Sequence, residues 1–99
     1  MAVNSGRSDV VAAAVVTFSS SHHAFKAEKI FREAGIPALL IPVPAEIRAD
    51  CGVALLISPK MLKKAEEALK EAGLEPSGSY EIIRERRRAG LWQRVLGIE

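Results

Sequence analysis

The chain has a single cysteine, Cys51, among its 99 residues, so no internal disulfide can hold it together. A lone thiol suits a reducing compartment, and a cytoplasmic location is expected. Aromatic residues are scarce as well: three Phe, one Tyr and one Trp. The core must therefore be built mainly from Val, Ile, Leu and Ala. No apolar run reaches the ~18 residues of a membrane-spanning helix. The polar opening, MAVNSGRSD, carries no signal-peptide pattern. A net charge of +2 is too small to point to nucleic acid by itself. The Walker glycine-lysine loop, GxGxxG, GxSxG and CxxC are all missing, and no cofactor is expected. What remains is 48% hydrophobic and 26% charged, the composition of an ordinary globular protein. Its length suits one domain, residues 10–84, between a loose leader at 1–9 and a basic, amphipathic tail at 85–99.

Periodicity divides the chain into six elements. Residues 10–18, VVAAAVVTF, are apolar at every other position on both sides, as in a strand buried on both faces. Ser19, Ser20 and Ser21 then offer helix caps. In residues 22–34, His23, Ala24, Ala27, Ile30, Phe31 and Ala34 share one helical face, and Gly35 stops the helix. Phe25 falls on the outer side. Residues 36–41 form a second strand, ended by Pro42 and Pro44, which cannot donate ladder hydrogen bonds. A loop at 43–52 leads to a third strand at 53–58. Pro59 then opens a second helix, with Met61, Leu62, Ala65, Ala68, Leu69 and Ala72 as its stripe and Gly73 as its stop. The two helices end on similar phrases, REAGIP and KEAGLEP, which marks one helix-to-strand device used twice. A turn at Ser77 and Gly78 precedes a short edge strand at 80–84.

The order βαββαβ predicts an α+β, ferredoxin-like sandwich: an antiparallel sheet in spatial order 4-1-3-2 with both helices on one face. Two consequences follow. The end of the first strand, the start of the first helix and the loop at 43–52 should share one edge of the sheet. The other face needs a cover, because the first and third strands are apolar on both sides. The tail GLWQRVLGI at 90–98 can supply it through Leu91, Trp92, Val95 and Leu96, and a second copy of the chain is the other means. A homodimer is expected on that ground.

The candidate chemistry sits in the loop. Cys51 lies between Asp50 and Gly52, in a polar, proline-marked segment at the exposed tip of a hairpin. Free cysteine is often only a small buried hydrophobe. Here its setting suggests a nucleophile, which requires the thiolate. The positive end of the first helix favours that form, as does a neighbouring cation, Arg48 or protonated His23, whereas Asp50 opposes it. Gly52 allows the backbone to turn or to approach a partner closely. His23 should face the sheet and reach Cys51, and His22 should face outward; a Cys–His pair is a recognised nucleophilic arrangement. Ser19, Ser20, Ser21 and His22 at the helix start are anion-binding candidates, with plain capping as the simpler reading. No metal site is expected, since Cys51 and two adjacent histidines have no zinc spacing.

The stretch VTFSSSHHAFKAEKIFREAGIPALLIPVPAEIRADCGVALLI resembles small bacterial proteins described as selenium/sulfur carrier protein-like. The likeness lies in four places. These are the Phe–Ser segment with a His before Ala, the AFKAEK helix, Gly35-Ile36-Pro37 before the second strand, and the Pro42/Pro44 loop leading to Cys51-Gly52. The resemblance implies a carrier whose Cys51 holds sulfur or selenium as a persulfide or selenopersulfide. It also implies two partners: a donor protein of the cysteine desulfurase type and an acceptor enzyme. Such a protein is a carrier more than a stand-alone enzyme.

Two other readings stay open. One is a non-catalytic binding or regulatory module with a ligand at a dimer interface or at residues 19–23. The other is a redox or thiol-transfer protein using the same cysteine. The run Arg84, Arg86, Arg87, Arg88, with Arg94 beyond, reads as a solvated, basic strand end, diluted by Glu81 and Glu85. RNA binding on the sheet would need stacking aromatics, and the central strands offer only Phe18, so no nucleic-acid partner is expected. The tail is too short to expect attachment to a membrane surface.

Overall fold

A computed structural model describes residues 9–96 of the chain. The expected leader, apart from Asp9, and Ile98 of the tail lie outside the described residues. The described residues form a mixed α+β structure: an open four-stranded antiparallel sheet with three α-helices. Its strands are β1 (Val10–Thr17), β2 (Leu39–Pro42), β3 (Val53–Ile57) and β4 (Gly78–Glu85). They lie side by side as β2-β3-β1-β4. The central position of β1 accounts for its lack of a polar face. Ala14 and Val16 are buried on one side, and Val11, Ala13 and Val15 on the other. Thr17 is fully buried, and its hydroxyl is satisfied by donating to the Gly78 carbonyl at 3.3 Å.

Helices α1 (Ser21–Glu33) and α2 (Leu62–Ala72) cover one face. Ala24, Ala27 and Phe31 of α1 and Ala65 and Leu69 of α2 meet Leu55 and Ile57 there, joined by Phe18 just past β1. Both helices stop by the same bonds. Gly35 and Gly73 take left-handed φ values of 76° and 74°. The next residue then reaches back five positions, Ile36 N–H to Phe31 O at 2.9 Å and Leu74 N–H to Leu69 O at 3.0 Å. Both apolar pairs are buried in the same core. This is a Schellman stop with its hydrophobic contact, and it is the physical content of the repeated phrases REAGIP and KEAGLEP.

Several expected boundaries shift. The second strand begins at Leu39 instead of Ile36, because the Ile36 N–H is already spent on the helix stop and Pro37 has none to give. Pro59 opens a 3-10 turn, Pro59–Met61, capped by Ser58 Oγ accepting from Lys60 N–H at 3.3 Å, and α2 proper starts at Leu62. The last strand runs the full length of β1, from Gly78 opposite Thr17 to Glu85 opposite Val10, so Gly78 belongs to a strand and not to a turn.

The other face is covered from within the chain. Helix α3 (Trp92–Leu96) lays Val95, Leu96 and Trp92 against Val11, Val15, Leu56 and Ile82. Leu91, expected to help, is 63% exposed, and Ala89 takes the buried place instead. The loop at 43–52 contributes Ile47, which is buried in the same cluster.

Candidate functional site

Strand register decides what meets what. Thr17 at the end of β1 is opposite Ala54 at the start of β3, and Pro42 at the end of β2 is opposite Val53. The start of α1 and the Cys51 loop therefore share one end of the sheet. The loop is not the projecting tip that two prolines suggest. Val43 N–H bonds to Gly52 O at 3.0 Å and closes its neck. Ile47 N–H bonds to Pro44 O at 3.0 Å and turns the chain, so that the Ile47 side chain is buried on the second face.

Cys51 is half-buried. Its thiol donates to the carbonyl of Val53, the first residue of β3, at 3.1 Å, which places the sulfur at the rim of the sheet. Gly52 is exposed, its φ is not left-handed, and a Cβ built there meets nothing within 4 Å. The backbone at Gly52 is thus in a conformation open to other residues, with free space around its Cα.

At the helix start, Ser20 is the N-cap, its Oγ accepting from His23 N–H at 3.2 Å. Ser21 is the first helical residue and is exposed. Ser19 Oγ and His23 Nδ1 share a hydrogen bond at 3.0 Å. His23 is half-buried and His22 exposed, their rings 6.2 Å apart and tilted by 46°, so the two diverge as adjacent helical positions must. Among the described residues no hydrogen bond or ion pair joins Cys51 to His23 or to Arg48. Arg48 is exposed in the same loop. With Ile47, Ala49, Asp50, Ser77 and Tyr80 it lines an open recess of about 610 Å³. Among the described residues no group of three His, Cys, Asp or Glu could hold a metal ion. No helix described is long and apolar enough to cross a membrane.

A feature that sequence reading missed fixes the loop in place. Arg84 of β4 binds Glu46 of the loop with both terminal nitrogens, at 2.8 and 3.0 Å. The same guanidinium lies 5.9 Å from the centre of the Trp92 ring in α3. One arginine thus ties the cysteine loop and the C-terminal helix to the edge strand. The hydrogen bonds from Arg84 hold the Glu46 carboxyl below its usual range, and the same bonds raise the Arg84 pKa. The signal was visible in part: Arg84 has the same strand parity as Ile82, so it faces the second side, whereas most of the basic run lies beyond the strand. There Arg87 and Arg88 lean on Glu85, at 3.3 and 3.5 Å.

Comparison with known families matches residues 13–81 to a family described as putative Se/S carrier protein-like. The chain belongs to that family. The matched span contains both long helices and the whole Cys51 loop. No curated protein and no solved structure matches the chain.

Proposed function

We propose that this family member carries sulfur or selenium on Cys51. The reading is carried by the position of the only thiol: half-buried at the rim of the sheet, on a pinned loop, at the end where α1 begins. The Cys51 thiolate attacks the terminal sulfur of a donor persulfide. A new S–S bond forms at Cys51, the donor's S–S bond breaks, and the donor leaves as a thiolate. Transfer to the acceptor repeats the exchange with Cys51 as the leaving group, so no net oxidant is needed. A selenium cargo follows the same exchange. His23 takes the thiol proton after giving up Ser19, and Arg48 steadies the anionic sulfur. Gly52 keeps the approach to the sulfur open for the two partners, a cysteine desulfurase-type donor and an acceptor enzyme. The order β2-β3-β1-β4 reads as 4-1-3-2 from its other edge, and we take it as a ferredoxin-like arrangement of residues 10–84 closed by the tail. The proposed compartment is the cytoplasm.

The experiment is mass spectrometry of the chain after incubation with a cysteine desulfurase and cysteine. The expected result is one added sulfur on Cys51 and none on Cys51→Ser. An unmodified Cys51, beside a control carrier that is loaded, rejects the reading.

A second reading rests on the recess beside the loop. Arg48, Asp50, Ser77 and Tyr80 place a cation, a carboxylate and two hydroxyls around one opening. That set suits a small polar ligand in a non-catalytic binding or regulatory domain. Full cellular function of Cys51→Ser would favour it.

A further inference from the structure

The two edges of the sheet are unlike. On one side β2 is four residues long and ends in Pro42. On the other, β4 offers eight residues, paired with β1 along their whole length and with nothing on the outer side among the described residues. Long open edges are the sites at which sheets recruit another strand. Apolar surface gathers at this one. Of the five exposed large hydrophobic residues among those described, Tyr80 and Ile83 are on β4, and Val10 is directly opposite Glu85. Ile83, 56% exposed, points to the helix-bearing side, where neither helix covers it. Its neighbour Ile82 points to the other side and is buried.

We infer that β4 pairs antiparallel with β4 of a second copy of the chain, joining two four-stranded sheets into one. Charge selects the register. Residues directly opposite must face the same side, so a twofold axis passes through a residue of β4. An axis at Glu81 sets Glu81 against itself, one at Ile83 sets Glu81 against Glu85, and one at Arg84 sets Arg84 against itself. Like charges directly opposite are unfavourable. An axis at Ile82 avoids all of these. It sets Tyr80 against Arg84, Glu81 against Ile83 and Ser79 against Glu85 of the second copy. The Tyr80 ring then meets the guanidinium that already holds Glu46 and Trp92. On the helix-bearing side the two Ile83 side chains become diagonal neighbours. Charge therefore counts against those three registers; an axis at Tyr80 also avoids like pairs but overlaps only residues 78–82 of β4, whereas the axis at Ile82 overlaps residues 79–85. The partner is a second copy because the strand is complementary to itself, in shape and in charge. The tail, and not this contact, covers the second apolar face.

This inference goes beyond the chalcogen reading, and it is tested at positions outside the Cys51 loop, so either can fail without the other. Sedimentation equilibrium on the full chain is expected to show a dimer. Ser79→Glu places two like-charge pairs across the axis and should weaken the dimer about tenfold, whereas Ser79→Lys, facing Glu85, should tighten it. Ile83→Glu, facing Glu81 of the second copy, adds two further like-charge pairs and should weaken it at least as much. Far-UV circular dichroism of each variant is expected to match the parent. In a Cys51→Ser background, a mixture of Glu81→Cys and Ile83→Cys chains should form a mixed disulfide that neither forms alone. A monomer at every concentration, a dimer indifferent to Ser79→Glu and Ile83→Glu, or a disulfide from Ile83→Cys alone would each overturn the inference.

Discussion

The two faces of the sheet are closed by different means. On the first, two helices of thirteen and eleven residues lay continuous apolar stripes on the strands, each ended by a left-handed glycine. On the second, a five-residue helix, Ala89 just before it and one loop isoleucine do the covering, tied across β4 by Arg84. The first face is built from long, locally specified elements. The second is assembled from short pieces that hold their places only because the rest of the sheet is there. Short helices are marginal alone, so α3 depends on packing. The candidate chemistry lies at the junction of the two regimes. The helix start at Ser20 belongs to the well-built face, and the Cys51 loop leans on the other.

This contrast can be broken deliberately. The largest effect is expected from Phe31→Ala, which empties a fully buried site between α1 and the sheet. It should cost about 3–5 kcal/mol in urea unfolding, a large share of the roughly 5–15 kcal/mol that holds such a domain folded. Leu96→Ala on the second face should cost about 2 kcal/mol, at the low end for such changes, since the site lies at the margin and can collapse. Equal losses at the two positions would remove the distinction between the faces. Gly73→Ala forces a left-handed Cβ and should cost about 1 kcal/mol with no other change, because nothing lies within 4 Å of it.

The smallest stability effect is expected at the clamp, and it sharpens the comparison most. Glu46 is half-exposed and Arg84 about a third exposed, so solvent screens the pair and Glu46→Gln should barely move the unfolding midpoint at pH 7. Its readout is the loop: the rate of Cys51 alkylation should rise several-fold as the loop loosens. The pH dependence has a definite sign. The Glu46 carboxyl titrates lower in the folded chain than in the unfolded one. Its contribution is therefore complete above the unfolded value of about 4.3 and is lost as pH falls through the depressed folded value. The parent and Glu46→Gln should converge in Cys51 labelling in acid and separate above that window. Identical labelling at all pH values would mean that the clamp does not govern the loop.

Much of the fold was legible because the signals were local. The stripe through Ala24, Ala27 and Phe31, and the glycines at 35 and 73, act within a few residues of themselves. The two-sided burial of β1 was equally plain, since a strand with no polar face must be central. At the site, the capping role of Ser20 and the divergence of His22 and His23 follow from helix geometry alone. The course of the loop did not. Pro42 and Pro44 suggested a projecting tip, yet Ile47 folded inward once an apolar face was there to receive it.

Sequence alone determined the element order, the two helix stops and the presence of one thiol on a loop before β3, since each depends on propensities and periods read over a few residues. Tertiary structure decided what covers the second face and where the loop carrying Cys51 rests. The Glu46–Arg84 bond spans 38 positions, and no local pattern announces a partner at that distance. Such a contact comes into being only after the sheet has brought β4 beneath the loop and α3 beside it.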